Sequence, residues 1–152
     1  MTPYLPSGLP IPAPARDGLD QPFWSGLQED RLLLQFCDHC QHWQWGPEWI
    51  CYRCHSSALS FRPVEPSGFI YSYERIWHPV HRALGDFGPY IVVLVELPQA
   101  DGVRLVGNLL GDPRQRVEIG EPVRGVFEHH HGEESRYTLL QWARAAEPVA
   151  GP

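Results

Sequence analysis

Four cysteines stand in two pairs, Cys37-Asp38-His39-Cys40 and Cys51-Tyr52-Arg53-Cys54, with two residues inside each pair and ten between the pairs. A tight turn of that spacing aims two sulfurs at one point. Two such turns close a tetrahedron of thiolates around a zinc ion at roughly 2.3 Å per Zn–S bond. The chain has no other cysteine, so no thiol is left for further chemistry. A redox dithiol would open a helix after a buried strand, and two copies so close together do not suit that arrangement. Two disulfides would require an oxidising compartment, whereas Met1-Thr2-Pro3-Tyr4 carries neither a basic leader nor an apolar core. His39, His42 and His55 flank the pairs. With four thiolates filling a closed site, they read as exposed knuckle residues.

Two other stretches concentrate chemistry-bearing side chains. Residues 78–89 hold His78, His81, Arg82, Asp86 and Phe87 with two glycines, and Tyr90 follows. The stretch reads either as a mobile surface loop or as a binding loop. A catalytic His78–Asp86 pair has no nucleophile or oxyanion motif beside it. His129-His130-His131 would place its first and third rings on one face of a strand, able to capture a metal, or form a solvated strand end before Gly132-Glu133-Glu134.

The 152 residues suit one ordinary domain, or a metal-stapled module joined to a compact one. Six tryptophans and 43% hydrophobic residues support a packed core, while sixteen prolines and fourteen glycines imply turns and short strands. No stretch approaches the roughly 20 apolar residues that span a bilayer, and a cytoplasmic protein without membrane partners is expected. Net charge is −6, with twelve arginines and no lysine. Schiff-base and P-loop chemistry are thereby excluded. The arginines form no run, which argues against a nucleic-acid partner.

The elements that position these residues follow in order. Residues 1–17 form an extended proline-rich arm, loose or laid on a partner. A helix over 18–30 starts at Asp20, which can cap it, with Pro22 in its first turn. Its Phe23, Trp24 and Leu27 form an apolar face that docks on the chain's own core or on another subunit. The zinc ribbon spans 31–66: a strand over residues 31–36, the knuckles, and a strand over 58–62. Trp43, Trp45 and Trp49 either pack around the metal module or form a stacking platform for bases or an adenine ring. From Gly68 the pattern becomes five strands. Phe69, Tyr71, Tyr73 and Trp77 alternate along the first, and Tyr90–Leu97 reads as a strand covered on both faces. Five short strands over 67–145 predict a Greek-key barrel of the OB type, and 146–152 a flexible tail. The fold class is mainly β.

Several pieces recur in one order: Asp20 with Phe23-Trp24, Leu34-Gln35-Phe36-Cys37, the second cysteine pair, Gly68-Phe69-Ile70-Tyr71-Ser72-Tyr73, Pro89-Tyr90-Ile91-Val92, and Ile119-Gly120-Glu121-Pro122-Val123. The set, over roughly residues 18–143, resembles the acyl-CoA-associated OB-fold family catalogued as domain of unknown function family 35. The resemblance implies a rubredoxin-like ribbon with structural zinc on Cys37, Cys40, Cys51 and Cys54. It also implies a non-catalytic partner of a thiolase-like enzyme, handling acyl-CoA. Some members pair with lipid-transfer-protein-like thiolase homologues that act as aldolases on steroid side-chain CoA thioesters. On that reading the chain has no turnover of its own. His78, Arg82, Phe87 and Tyr90 would border the ligand, and Phe23 and Trp24 the partner in a hetero-oligomer. The alternative is a single-strand nucleic-acid module. Gln41 and His55 depart from the family, where glycine often follows each second cysteine.

Overall fold

The computed structural model describes residues 3–132 and 136–145. The tail expected over 146–152 lies outside the described residues, as do Glu133 and Glu134. Helix α1 (Gln21–Gln28) is followed by β1 (Leu32–Cys37), β2 (His42–Gln44) and β3 (Leu59–Val64), which pair antiparallel in the order β2-β1-β3. Asp20 stands at the N-cap, but its carboxylate does not cap the helix. It accepts from the Ala15 N–H at 2.7 Å and the Trp24 indole N–H at 2.9 Å, folding the end of the arm against the first turn.

The second sheet holds β4 (Ser67–Ile76), β5 (Tyr90–Leu97), β6 (Val103–Asn108), β7 (Pro122–His131) and β8 (Arg136–Arg144) in the order β6-β5-β4-β7-β8. Leu109 bridges Trp142 in parallel, and the Leu110 N–H donates to the Trp142 carbonyl at 2.8 Å, closing the sheet into the expected OB barrel. Glycine makes the closure possible. A Cβ at Gly107 would stand 2.5 Å from the Leu140 carbonyl oxygen, and one at Gly68 would stand 2.2 Å from that of Glu96.

Two expectations change. β5 alternates buried Ile91, Val93, Val95 and Leu97 with half-buried Val92, Leu94 and Glu96, so only its barrel-facing side is fully covered. On β4 the buried side chain is Ile70, with Gly68 buried before it, while Phe69, Tyr71 and Tyr73 are 46%, 46% and 39% exposed and Trp77, just past the strand, is 50% exposed. A bulge between Ile70 and Ser72 shifts the register there.

The core is continuous. Phe23 and Leu27 of α1, Leu32, Leu34 and Val64 of the ribbon, and Ile70, Val93 and Trp142 of the barrel belong to one buried cluster. Each such aliphatic side chain contributes roughly 1.5–3 kcal/mol. The helix therefore docks on its own chain. Among the described residues no helix is long and apolar enough to cross a membrane.

Candidate metal centre and the surfaces around it

The hairpin turn between β1 and β2 presents Cys37 and Cys40, and the loop between β2 and β3 presents Cys51 and Cys54. All four sulfurs lie within 4.8 Å of one another. Cys37 to Cys54 and Cys40 to Cys51 are each 3.6 Å. A zinc tetrathiolate has sulfur–sulfur edges of about 3.8 Å, so the set fits that ion. The Cys40 N–H points at Cys37 Sγ (3.5 Å) and the Arg53 N–H at Cys51 Sγ (3.4 Å), donors suited to negative sulfur. Burial pushes the Cys40 thiol up to about 12, its hydrogen bonds with Cys54, Cys37 and Cys51 adding to the shift. Burial also opposes ionisation of Cys51, yet the N–H groups of Cys54 and Arg53 bring it down to about 6. Four thiolates so close require a cation between them. Zinc there would supply folding energy and leave no coordination position open for substrate.

The absent knuckle glycines are explained locally. Gln41 and His55 adopt φ of 56° and 61°, where side chains cost roughly 1–2 kcal/mol. Each closes its turn, the Gln41 N–H on the Cys37 carbonyl at 2.9 Å and the His55 N–H on that of Cys51 at 2.8 Å. Neither His39 nor His55 joins the sulfur cluster.

Sequence reasoning missed two glutamines that organise the second knuckle. Gln35 and Gln44 are 2% and 0% exposed. The Gln44 amide donates to Gln35 Oε1 (2.6 Å) and its oxygen accepts from the Tyr52 N–H (3.2 Å). Gln35 in turn clasps the Glu48 carbonyl and N–H at 2.9 and 3.0 Å. The signal was a lone amide inside the apolar run Leu32-Leu33-Leu34-Gln35-Phe36.

The tryptophans divide their work. Trp43 packs edge-on against Phe36 (4.9 Å), Trp45 lies 4.5 Å from Phe23, and Trp49 is exposed. Asp101 ties ribbon to barrel, accepting from the Trp43 N–H at 3.0 Å and meeting His42 Nδ1 at 3.0 Å. Phe23 is thus committed to the chain's own core. Trp24 is half-buried and lines, with Leu27, Trp45, Val106 and Leu139, a groove of about 320 Å³ between helix, ribbon and barrel. Removing both rings is expected to destabilise the chain itself: of the two places the sequence left open for this face, the chain's own core takes Phe23 and packs against Trp24.

The 78–89 loop contains one 3-10 turn, Arg82–Leu84, capped by His81. His78 and Arg82 are exposed, and no hydrogen bond joins His78 to Asp86 among the described residues. Phe87 lies 6.4 Å from Tyr90 and 6.5 Å from Tyr4 of the arm. Burial raises the Tyr4 phenol, the Ile91 backbone moderating the shift, yet its hydroxyl closes no hydrogen bond.

Only His131 of the histidine run sits as an exposed strand end; the other two are half-buried and partnered. His129 bonds Thr138 Oγ1 (2.9 Å) and Asp30 (2.8 Å), and His130 meets Glu128 at 2.7 Å. His131 stacks on His129 at 6.1 Å, on one face as expected. No metal cluster forms there among the described residues. Sequence reasoning also left unremarked that the aromatics of β4 and Trp77 just beyond it are exposed, with Arg104 3.5 Å over Tyr71 and Arg114 5.3 Å over Trp77.

Known proteins share this arrangement. The ChsH2 rubredoxin-like zinc ribbon domain matches residues 24–60, and the ChsH2 C-terminal OB-fold domain residues 61–128. The chain is similar to a probable enoyl-CoA hydratase alpha subunit of Thermomonospora curvata (37% identity, 75% of this chain and 34% of that protein). It is also similar to the 3-oxo-4,17-pregnadiene-20-carboxyl-CoA hydratase alpha subunit of Mycobacterium tuberculosis (28%, 80% and 37%). The chain spans about a third of the length of these curated relatives. Among solved structures, a chain of an Ltp2-ChsH2(DUF35) aldolase superposes with TM-score 0.74 and 32% identity, covering 90% of this chain and 100% of that one. A DUF35 protein of unknown function from Sulfolobus solfataricus shares the fold at 15% identity, covering 82% and 84%, with TM-score 0.57.

Proposed function

From the premise that this chain belongs to the ChsH2 (DUF35) family of zinc-ribbon and OB-fold proteins, we propose that it is an accessory subunit of a thiolase-fold, lipid-transfer-protein-like enzyme. It docks on that enzyme as part of a hetero-oligomer and helps position an acyl-CoA substrate, while the partner supplies the reacting groups. The reaction assigned to the complex is retro-aldol cleavage of a steroid side-chain CoA thioester, in the cytoplasm. One observation carries this reading: the likeness runs the full length of a chain in a solved structure named for two components, Ltp2 and ChsH2, and called an aldolase.

The parts take distinct roles. The ribbon over 31–66, holding zinc on Cys37, Cys40, Cys51 and Cys54, gives the docking surface its shape. Phe69, Tyr71, Tyr73 and Trp77, exposed on either side of the β4 bulge with Arg104 over Tyr71 and Arg114 near Trp77, have the composition of interface hot spots. Trp24 at the groove mouth joins them. On the barrel over 67–145, His78 and Arg82 are exposed where they can meet a phosphate, and Phe87 and Tyr90 can flank an apolar tail.

The test is co-expression with thiolase-like enzymes. A stable complex that cleaves the CoA thioester, from a chain silent alone, is the expected result. Unaided turnover, or no binding to any such enzyme, overturns the reading. A second reading, a single-strand nucleic-acid module, is favoured by the arginines stacked on β4 aromatics and opposed by the net charge of −6. Tight, salt-sensitive binding to single strands would promote it.

A further inference from the structure

The proline-rich arm is seated on the barrel by one residue. The Tyr4 N–H donates to Glu128 Oε2 at 2.9 Å, across 124 positions of sequence. Its ring meets Phe87 edge-on at 6.5 Å, and Phe87 continues to Tyr90. Between residues 3 and 14 no other hydrogen bond holds the arm among the described residues.

The seat is built more carefully than a resting place for a tail requires. Glu128 is 1% exposed. Its Oε1 meets His130 Nε2 at 2.7 Å and Gln141 Nε2 at 3.4 Å. Gln141 Oε1 then accepts from the Asn108 N–H (2.7 Å), and Asn108 Nδ2 donates to the Ile91 carbonyl (3.2 Å). That chain runs along the seam where β6 closes on β8. Glu128 Oε2, by contrast, has the arm as its partner. Burying a carboxylate is costly unless its oxygens are bonded, so the barrel presents an acceptor that a donor from outside must satisfy.

The present occupant fits imperfectly. The Tyr4 hydroxyl is buried beside the Ile91 backbone without closing a hydrogen bond of normal geometry, a loss that an equally large ring lacking the hydroxyl would avoid. A ligand held by one backbone bond and one ring edge, with an orphaned polar atom, is poised for exchange.

We propose that Phe87, Tyr90, Glu128 and His130 form a recognition site for an aromatic residue in an extended peptide, and that Tyr4 fills it as a displaceable internal ligand. Glu128 reads the main-chain N–H, and Phe87, backed by Tyr90, reads the side chain. In the complex, a segment of the partner subunit takes the place of the arm; this last step alone rests on the accessory-subunit reading.

Amide exchange on the isolated full chain tests the site without any partner. Tyr4→Ala keeps the backbone N–H but loses the ring that holds the arm in place, and it accelerates exchange over residues 84–91 and 127–130 by about tenfold, the loss of one aromatic contact. Tyr4→Phe slows it. A synthetic peptide of residues 2–9, added to the Tyr4→Ala chain, restores protection, and its version with alanine at the tyrosine does not. Unchanged exchange in both variants, or equal protection by the two peptides, overturns the proposal. Should Tyr4→Ala fail to fold, Tyr4→Phe decides alone, with unchanged or faster exchange counting against it. Failure here leaves the co-expression result standing, and the reverse also holds.

Discussion

The ribbon and the barrel are both antiparallel sheets, yet they reach stability by different routes. The barrel closes on itself and buries Ile91, Val93, Val95, Leu105 and Trp142 to 4% exposure or less. The ribbon is three short strands, with an apolar end at Leu32, Leu34 and Val64 and a polar end at the knuckles. The apolar end is absorbed into the barrel's cluster and packs under α1. The knuckle end has two buried glutamines and four sulfurs in place of a core. A sheet too small to bury enough apolar surface thus borrows one half of its stability from its neighbour and the other half from a metal.

Mutations that strike one half and spare the other test this contrast. The largest effect is expected from Cys37→Ser, which forfeits metal binding of the order of 10 kcal/mol. Zinc content should fall to background and amide protection should vanish between β2 and β3 while β5 and β6 stay protected. A ribbon that keeps its protection without zinc would break the contrast. Trp142→Ala strikes the other side and should cost about 3–5 kcal/mol. Its thermal transition drops by many degrees while zinc content is unchanged, and metal loss would mean that the two halves are one cooperative unit. Asp101→Ala removes the link from β2 to the barrel, worth roughly 1–2 kcal/mol. Melting followed in parallel by tryptophan fluorescence and zinc release should show the two transitions moving apart.

Smaller effects sharpen the picture. Gln41→Gly and His55→Gly relieve side chains held at positive φ and should each stabilise the ribbon by about 0.5–1 kcal/mol, read as slower zinc loss to a chelator. A double change of Tyr71 and Tyr73 to alanine should alter stability within about 0.5 kcal/mol, because both rings are exposed. The same change should weaken binding to a thiolase-like partner markedly in a pull-down. Equal loss of stability and binding would remove β4 from the docking surface.

Much of the fold was legible because its signals are local. Cysteine spacing marked the knuckles, alternation and glycine marked five strands, and Asp20-Gln21-Pro22 marked the helix start. The alternation of Phe69, Tyr71, Tyr73 and Trp77 revealed a strand without revealing which face met the core. Side-chain period is the same for either face, and the bulge after Ile70 changes it midway. The capping reading of Asp20 failed because both oxygens of its carboxylate are taken by the Ala15 N–H and the Trp24 indole.

The sequence by itself determined the covalent grammar: where the chain turns, which residues can ligate a metal, and how many strands follow the ribbon. Only the tertiary structure decided what each exposed or buried group meets. It set Tyr4 against Glu128, Trp43 against Asp101, and His129 against Asp30. Turn and strand preferences act over a few neighbouring residues, whereas these partners lie as far as 124 positions apart and come together only when the barrel closes and the ribbon is laid upon it.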